Sequence, residues 1–212
     1  MAKKRKPISP LRSPDSFRRT PGQKPPRSTT LIVCEGETEK CYFKKLCGRD
    51  FFHLNFHVIT ANTGSKSAPS NVVGCAKKEA EKGGYDHIFC VFDRDRHTSY
   101  QQALNEISKL AKRGLPIKPM VSIPCFELWV LLHFEKTDTP FSCCAEIVQR
   151  ISECHIKNYK KANDDIVDEL FPRLDTAIEN GEWLEKQARE DSSTSVHRLL
   201  LHMKAESENH SK

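Results

Sequence analysis

Apolar residues along the chain come in short runs separated by amphipathic stretches. "TTLIVCE" (residues 29–35), "FHVITA" (56–61), "HIFCVFD" (87–93) and "IKPMVSI" (117–123) read as strands. The third is apolar throughout, as a strand covered on both faces is. Between them lie helical patterns at residues 38–47, 67–83 and 99–114, the second ending at Gly83-Gly84 and the third at Gly114. Strands alternating with helices of this length predict an α/β core with a mostly parallel four-stranded sheet flanked by helices.

After Pro124 the pattern changes. "FELWVLLHF" (126–134) is too apolar for a surface helix and is expected to be buried. Helical periodicity follows at residues 143–155, 163–190 and 193–203, the middle stretch broken at Pro172. The expected organisation is a basic leader (1–28), an α/β core (29–124) and a helical C-terminal region (125–212) that completes the site.

Charge sharpens the description of the leader. The whole chain carries +6, but residues 1–30 hold nine basic side chains against Asp15 alone, or +8, which leaves −2 for the remainder. Six prolines and almost no periodic apolar residues in that leader predict an extended arm. Lys3, Lys4, Arg5, Lys6, Arg18 and Arg19 are candidate contacts to phosphate backbones, which such an arm attracts without sequence preference. A solubilising or partner-docking tail is the plainer reading. No apolar core of a secretory signal is present at the start, and no run of 18 apolar residues would span a membrane. The nine cysteines are odd in number and form no Cys-x-x-Cys pair, so free buried thiols in a reducing cytoplasm are expected, not a disulfide framework or structural zinc.

Acidic residues cluster where strands end. The first strand runs into Glu35, with Glu37 and Glu39 following, and the third runs into Asp93-Arg94-Asp95. In open parallel sheets, functional groups gather beyond the carboxyl ends of the strands. If the first and third strands are neighbours, Glu35 faces Asp93 and Asp95 across about 5 Å, the usual inter-strand spacing. Bare carboxylates at that distance raise one another's pKa, and a hard divalent cation such as Mg²⁺ removes the conflict. Helix capping by Glu37 or Thr38 is the competing structural explanation. Glu127 sits among apolar neighbours and needs a metal, a cationic partner or a proton. His133, in the same segment, reads as a satisfied core histidine. Lys157, Lys160 and Lys161 form either a solvated face or a contact to a phosphate.

In this order, "VCEGETEKCYF", "VFDRD", "IPCFELWVLLHF", "YKK" and "DSSTSVHRLL" resemble the RloB family, bacterial proteins with a Toprim-like core often encoded beside an ATPase in defence loci. The resemblance spans essentially residues 1–203. It implies a Mg²⁺- or Mn²⁺-dependent endonuclease acting on RNA (tRNA included) or DNA, in cytoplasmic anti-phage defence of the abortive-infection type, under control of an ATPase partner. Glu35 matches the Toprim glutamate, and Asp93 and Asp95 match its Asp-x-Asp. Glu39 and Glu127 match acids that hold a second ion in Toprim nucleases of the overcoming-lysogenisation-defect type. Lys161 matches a Tyr-x-Lys element, with Lys160 beside it as a nucleic-acid contact. Two positions depart from the family pattern: Ile123 stands where Asn is favoured, and Asp191-Ser192-Ser193-Thr194 replaces Asn-Pro-Ser-Thr. Whether the chain forms a homo-oligomer is left open.

Other classes fit less well. A metal-dependent glycosyltransferase also uses Asp-x-Asp but gives the glutamates no role. An aspartyl phosphatase needs Thr or Val where His97 stands. A non-catalytic subunit that binds nucleic acid or the ATPase is the remaining alternative.

Overall fold

The structure is a computed structural model that describes residues 28–48, 51–61, 68–94, 99–163 and 165–210. The basic residues of the leader, from Lys3 to Arg19, and Asp95 lie outside the described residues. Five strands form one sheet in the order β2-β1-β3-β4-β5: β1 (Thr30–Cys34), β2 (His57–Thr60), β3 (His87–Asp93), β4 (Ile117–Ile123) and β5 (Ser193–Thr194). The first four are mutually parallel and β5 runs antiparallel to β4. The expected α/β class with a mostly parallel sheet is therefore found, with one more strand than the hydrophobic pattern shows.

The alternation of side chains along β1 and β3 divides the core in two. Leu31, Val33, Ile88, Cys90 and Phe92 face helices α2 (Pro69–Glu81) and α3 (Tyr100–Lys112). Ile32, Cys34, Phe89 and Val91 face α1 (Glu37–Leu46), α4 (Glu127–Leu131) and the C-terminal helices. Those are α5 (Cys144–Cys154), α6 (Asp165–Leu170), α7 (Leu174–Lys186) and α8 (Val196–His210). Both faces of β3 are thus covered, which is why its sequence lacks polar alternation. Residues 126–133 are buried as expected, with every residue of α4 inaccessible, and Phe134 is half-buried. Pro172 falls in a 3-10 turn, Phe171–Arg173, that separates α6 from α7.

The start of the last predicted helix departs from expectation. Ser193 and Thr194 form β5, and α8 begins only at Val196. Hydroxyls decide this: Ser122 Oγ and Thr194 Oγ1 lie 3.0 Å apart, and Val121 N donates to Ser195 Oγ at 2.8 Å. Thr194 Oγ1 then accepts from Val196 N at 3.3 Å, satisfying an orphan donor at the helix start. Close approach of α7 and α8 depends on Gly181, where a Cβ would meet His197 Cβ at 2.9 Å.

A buried hydrogen-bond chain joins α1 to α4. Trp129 Nε1 donates to Tyr42 Oη at 2.9 Å, Tyr42 Oη lies 3.3 Å from His133 Nε2, and His133 Nδ1 lies 3.0 Å from Trp129 O. Burial pushes His133 down to about 4, so the ring is neutral at pH 7. It is the satisfied core histidine that its apolar surroundings suggest. Tyr42→Phe leaves the Trp129 N–H without its acceptor, and the cost of such an orphan is about 1–3 kcal/mol. Chemical denaturation is expected to show a lower midpoint with unchanged m-value; an unaltered midpoint would remove this chain from the list of stabilising contacts.

Candidate functional site

Parallel pairing sets Cys34 beside Val91, and the ladder continues through Glu35 N, which donates to Val91 O at 3.0 Å. The two acidic strand ends are therefore neighbours. Glu35 Oε2 accepts a hydrogen bond from Asp93 N at 3.0 Å. Asp93 continues the strand face of Phe89 and Val91, which α1 and α4 cover. Those helices supply Glu39 and Glu127, both nearly inaccessible at 5% and 2% exposure.

The capping alternative is not realised. The N-cap of α1 is Gly36, and no side chain caps it. Glu37 instead turns outward, pairing with Lys40 at 3.1 Å and accepting from Thr60 Oγ1 at 3.3 Å. Glu39 folds back over the turn, so that a Cβ on residue 36 would sit 2.9 Å from Glu39 Oε2. Glycine at 36 therefore makes room for the buried carboxylate.

Crowding shows in the acidities. Burial pushes Glu39 up to about 7, and Glu127 and Glu35 add to the rise, while its backbone hydrogen bond and Lys161 oppose it. Asp93 is held well above the carboxylate range by burial, then by Glu39, Glu127 and Glu35, with a hydrogen bond from Phe126 N pulling the other way. Tyr159, from the "YKK" stretch, is raised by burial and by Glu127 and Glu39, which places its phenol near the same group.

Lys161 Nζ donates to Glu127 Oε1 at 2.8 Å, the ion pair that accommodates the buried acid. The lysine side chain remains half-exposed at the rim of a cleft of about 510 Å³. Asp93 and Arg94 line that cleft too. Lys160 is exposed and edges a separate narrow cavity beside Thr38 and Asn163. Of the expected site residues, Glu35, Glu39, Asp93, Glu127 and Lys161 thus converge, Lys160 stands off, and Asp95 lies outside the described residues.

One feature runs against the cysteine pattern. Cys125, after β4, and Cys144, the first residue of α5, are joined by a disulfide, and both line the cleft. Cys144 Sγ lies 3.0 Å from Glu127 Oε2 and 3.2 Å from Lys161 Nζ. A separation of 19 residues carries no motif; the packing of α5 on α4 brings the pair together. The other described cysteines form no disulfide.

The family model for "RloB-like protein" matches residues 30–203. The chain belongs to that family. The RloB-like match begins at β1 and runs into α8, so it covers every residue of the cluster. No curated protein and no solved structure matches the chain. Among the described residues, no helix is long and apolar enough to cross a membrane.

Oxygen donors at raised pKa values suit a hard cation such as Mg²⁺ or Mn²⁺, and they set a sign for its pH dependence. Glu39 binds its proton more tightly when folded, so its contribution to metal-free stability is greatest at low pH and is lost as pH rises through about 7. Melting in chelator from pH 5 to 8 is expected to show this fall, and Glu39→Gln to flatten it. A Mg²⁺ ion held by these oxygens would compete with that proton, so calorimetry is expected to show an affinity that rises over the same range; pH-independent binding would contradict a cation in this cluster.

Proposed function

We propose that the chain is a Mg²⁺-dependent endonuclease of the Toprim type, cleaving RNA or DNA phosphodiester bonds. The supporting observation is the hydrogen bond that seats Glu35 against Asp93 at the carboxyl ends of adjacent parallel strands, with Glu39 and Glu127 buried behind them. Membership of the RloB-like family, and the resemblance of its motifs to Toprim nucleases, supports the reaction class.

In this reading Glu35 and Asp93 hold one ion, together with Asp95, and Glu39 with Glu127 hold a second. Bound ions would supply charge neutralisation at the phosphate and a more acidic attacking water. The protein's own groups do the rest. Glu35, seated against Asp93, could instead act as the general base or acid in the proton transfer. The N–H of Phe126 orients the Asp93 carboxylate. Lys161 can exchange its bond to Glu127 for a non-bridging phosphate oxygen, since half of its side chain is already solvated. Arg94, which donates to Glu190 O at 2.9 Å, lines the same cleft. As water oxygen bonds to phosphorus, the ester oxygen leaves and takes up a proton.

The basic leader would gather the polyanion electrostatically. Control by an ATPase partner and a role in anti-phage defence follow from the same family resemblance. The test is cleavage of labelled RNA and DNA by the full chain with Mg²⁺ or Mn²⁺. Cleavage is expected to fall by at least about 100-fold in Asp93→Asn and in Glu35→Gln, the scale of losing a positioned charge in the transition state. Cleavage that survives in either variant would refute the assignment.

A further inference from the structure

A second convergence of ligating side chains lies at the opposite end of the sheet. His87 opens β3 at the edge away from the carboxylates. Helix α8 crosses beneath it, and its His202 and Glu206 are four residues apart, hence on one helix face. The ligating atoms of His87, His202 and Glu206 all lie within 4.8 Å of one another, and all three residues are half-buried. The His87 and His202 rings meet edge-on, with centroids 4.5 Å apart. Phe89 and Phe56 pack against His202 at 5.1 and 5.9 Å, giving the site an apolar wall.

Packing alone does not account for this trio. Among the described residues, no hydrogen bond or ion pair engages the His87 ring or the Glu206 carboxylate. A half-buried carboxylate beside two imidazoles is a donor set in search of a cation. We propose that His87, His202 and Glu206 bind one divalent transition-metal ion of the zinc class, separate from the carboxylate cluster. Two nitrogens and one oxygen match the borderline preference of zinc, whereas Mg²⁺ favours oxygen alone. Three protein ligands leave a fourth tetrahedral position for water.

The geometry needs only modest closure. Ligand bonds of about 2.0–2.1 Å hold tetrahedral donors about 3.3 Å apart, so side-chain rotations of roughly an ångström suffice. Thr30 Oγ1 lies 3.4 Å from His202 Nε2 and helps fix that ring. The ion would tie the C-terminal helix to the base of β3, a strand whose other end carries Asp93.

The test uses the full chain, stripped with chelator and titrated with Zn²⁺ in a competition assay, and with Co²⁺ as a spectroscopic probe. Expected is one tight equivalent, weakened at least about tenfold in Glu206→Gln and in His87→Asn, since loss of even an outer-shell partner weakens metal sites that much. Asp93→Asn should retain it, and the Co²⁺ spectrum should lack a thiolate charge-transfer band. Undiminished affinity in Glu206→Gln would overturn the site, as would a thiolate band or loss of binding in Asp93→Asn alone. Circular dichroism of the metal-free variants checks folding. Glu206 lies near the surface on the last turns of α8, so its variant decides the matter should His87→Asn fail to fold.

Discussion

A single hydrogen bond, from Asp93 N to Glu35 Oε2 at 3.0 Å, records the constraint on which the candidate site depends. It exists because β1 and β3 are parallel neighbours in register, so both chains leave the sheet at one level. Any other strand order would scatter the acids. The same parallel pairing demands apolar cover on both faces, and the helices that provide it bring Glu39 and Glu127 to the rim. Fold and site thus share one cause.

Four carboxylates in so small a volume are unfavourable without compensation, and the compensation visible in the protein is partial. Lys161 neutralises Glu127, and N–H donors from Asp93 and Phe126 serve Glu35 and Asp93. Glu39 has no such cation of its own within hydrogen-bonding reach among the described residues, and burial pushes it up to about 7. Crowding of this kind in a cleft is the pattern expected where charge serves chemistry. The disulfide between Cys125 and Cys144 borders the same cleft and touches both members of the Glu127–Lys161 pair, so the wall of the site is covalently tied on the side where α4 meets α5.

Much of this was legible in the residues. "HIFCVFD" and "IKPMVSI" announce β3 and β4 with their observed limits, the first because a strand buried on both faces is a continuous apolar run, the second through its apolar ends between Gly114 and Pro124. The neighbouring placement of β1 and β3 was an assumption that sequence supports only through topology rules, and the register makes it concrete. Glu127 advertised its need for a partner by its apolar surroundings, but three solutions were open, and only the approach of the 159–161 loop selects Lys161. Short or distant pairings left no trace. β5 is two residues long and held by hydroxyl contacts, so its Ser-Thr-Ser reads equally as a helix start. Cys125 and Cys144 are joined by tertiary packing across an irregular segment. His87, His202 and Glu206 escaped notice because 115 residues separate the strand from the helix and no spacing rule links them.

Placement of a cation at the strand ends can be seen directly. Crystals soaked in Mn²⁺ and measured at its absorption edge should show an anomalous peak bonded to carboxylate oxygens of both Glu35 and Asp93. A saturating soak that leaves those oxygens bare, with Glu35 still facing Asp93, contradicts the shared-cation reading and with it the proposed nuclease.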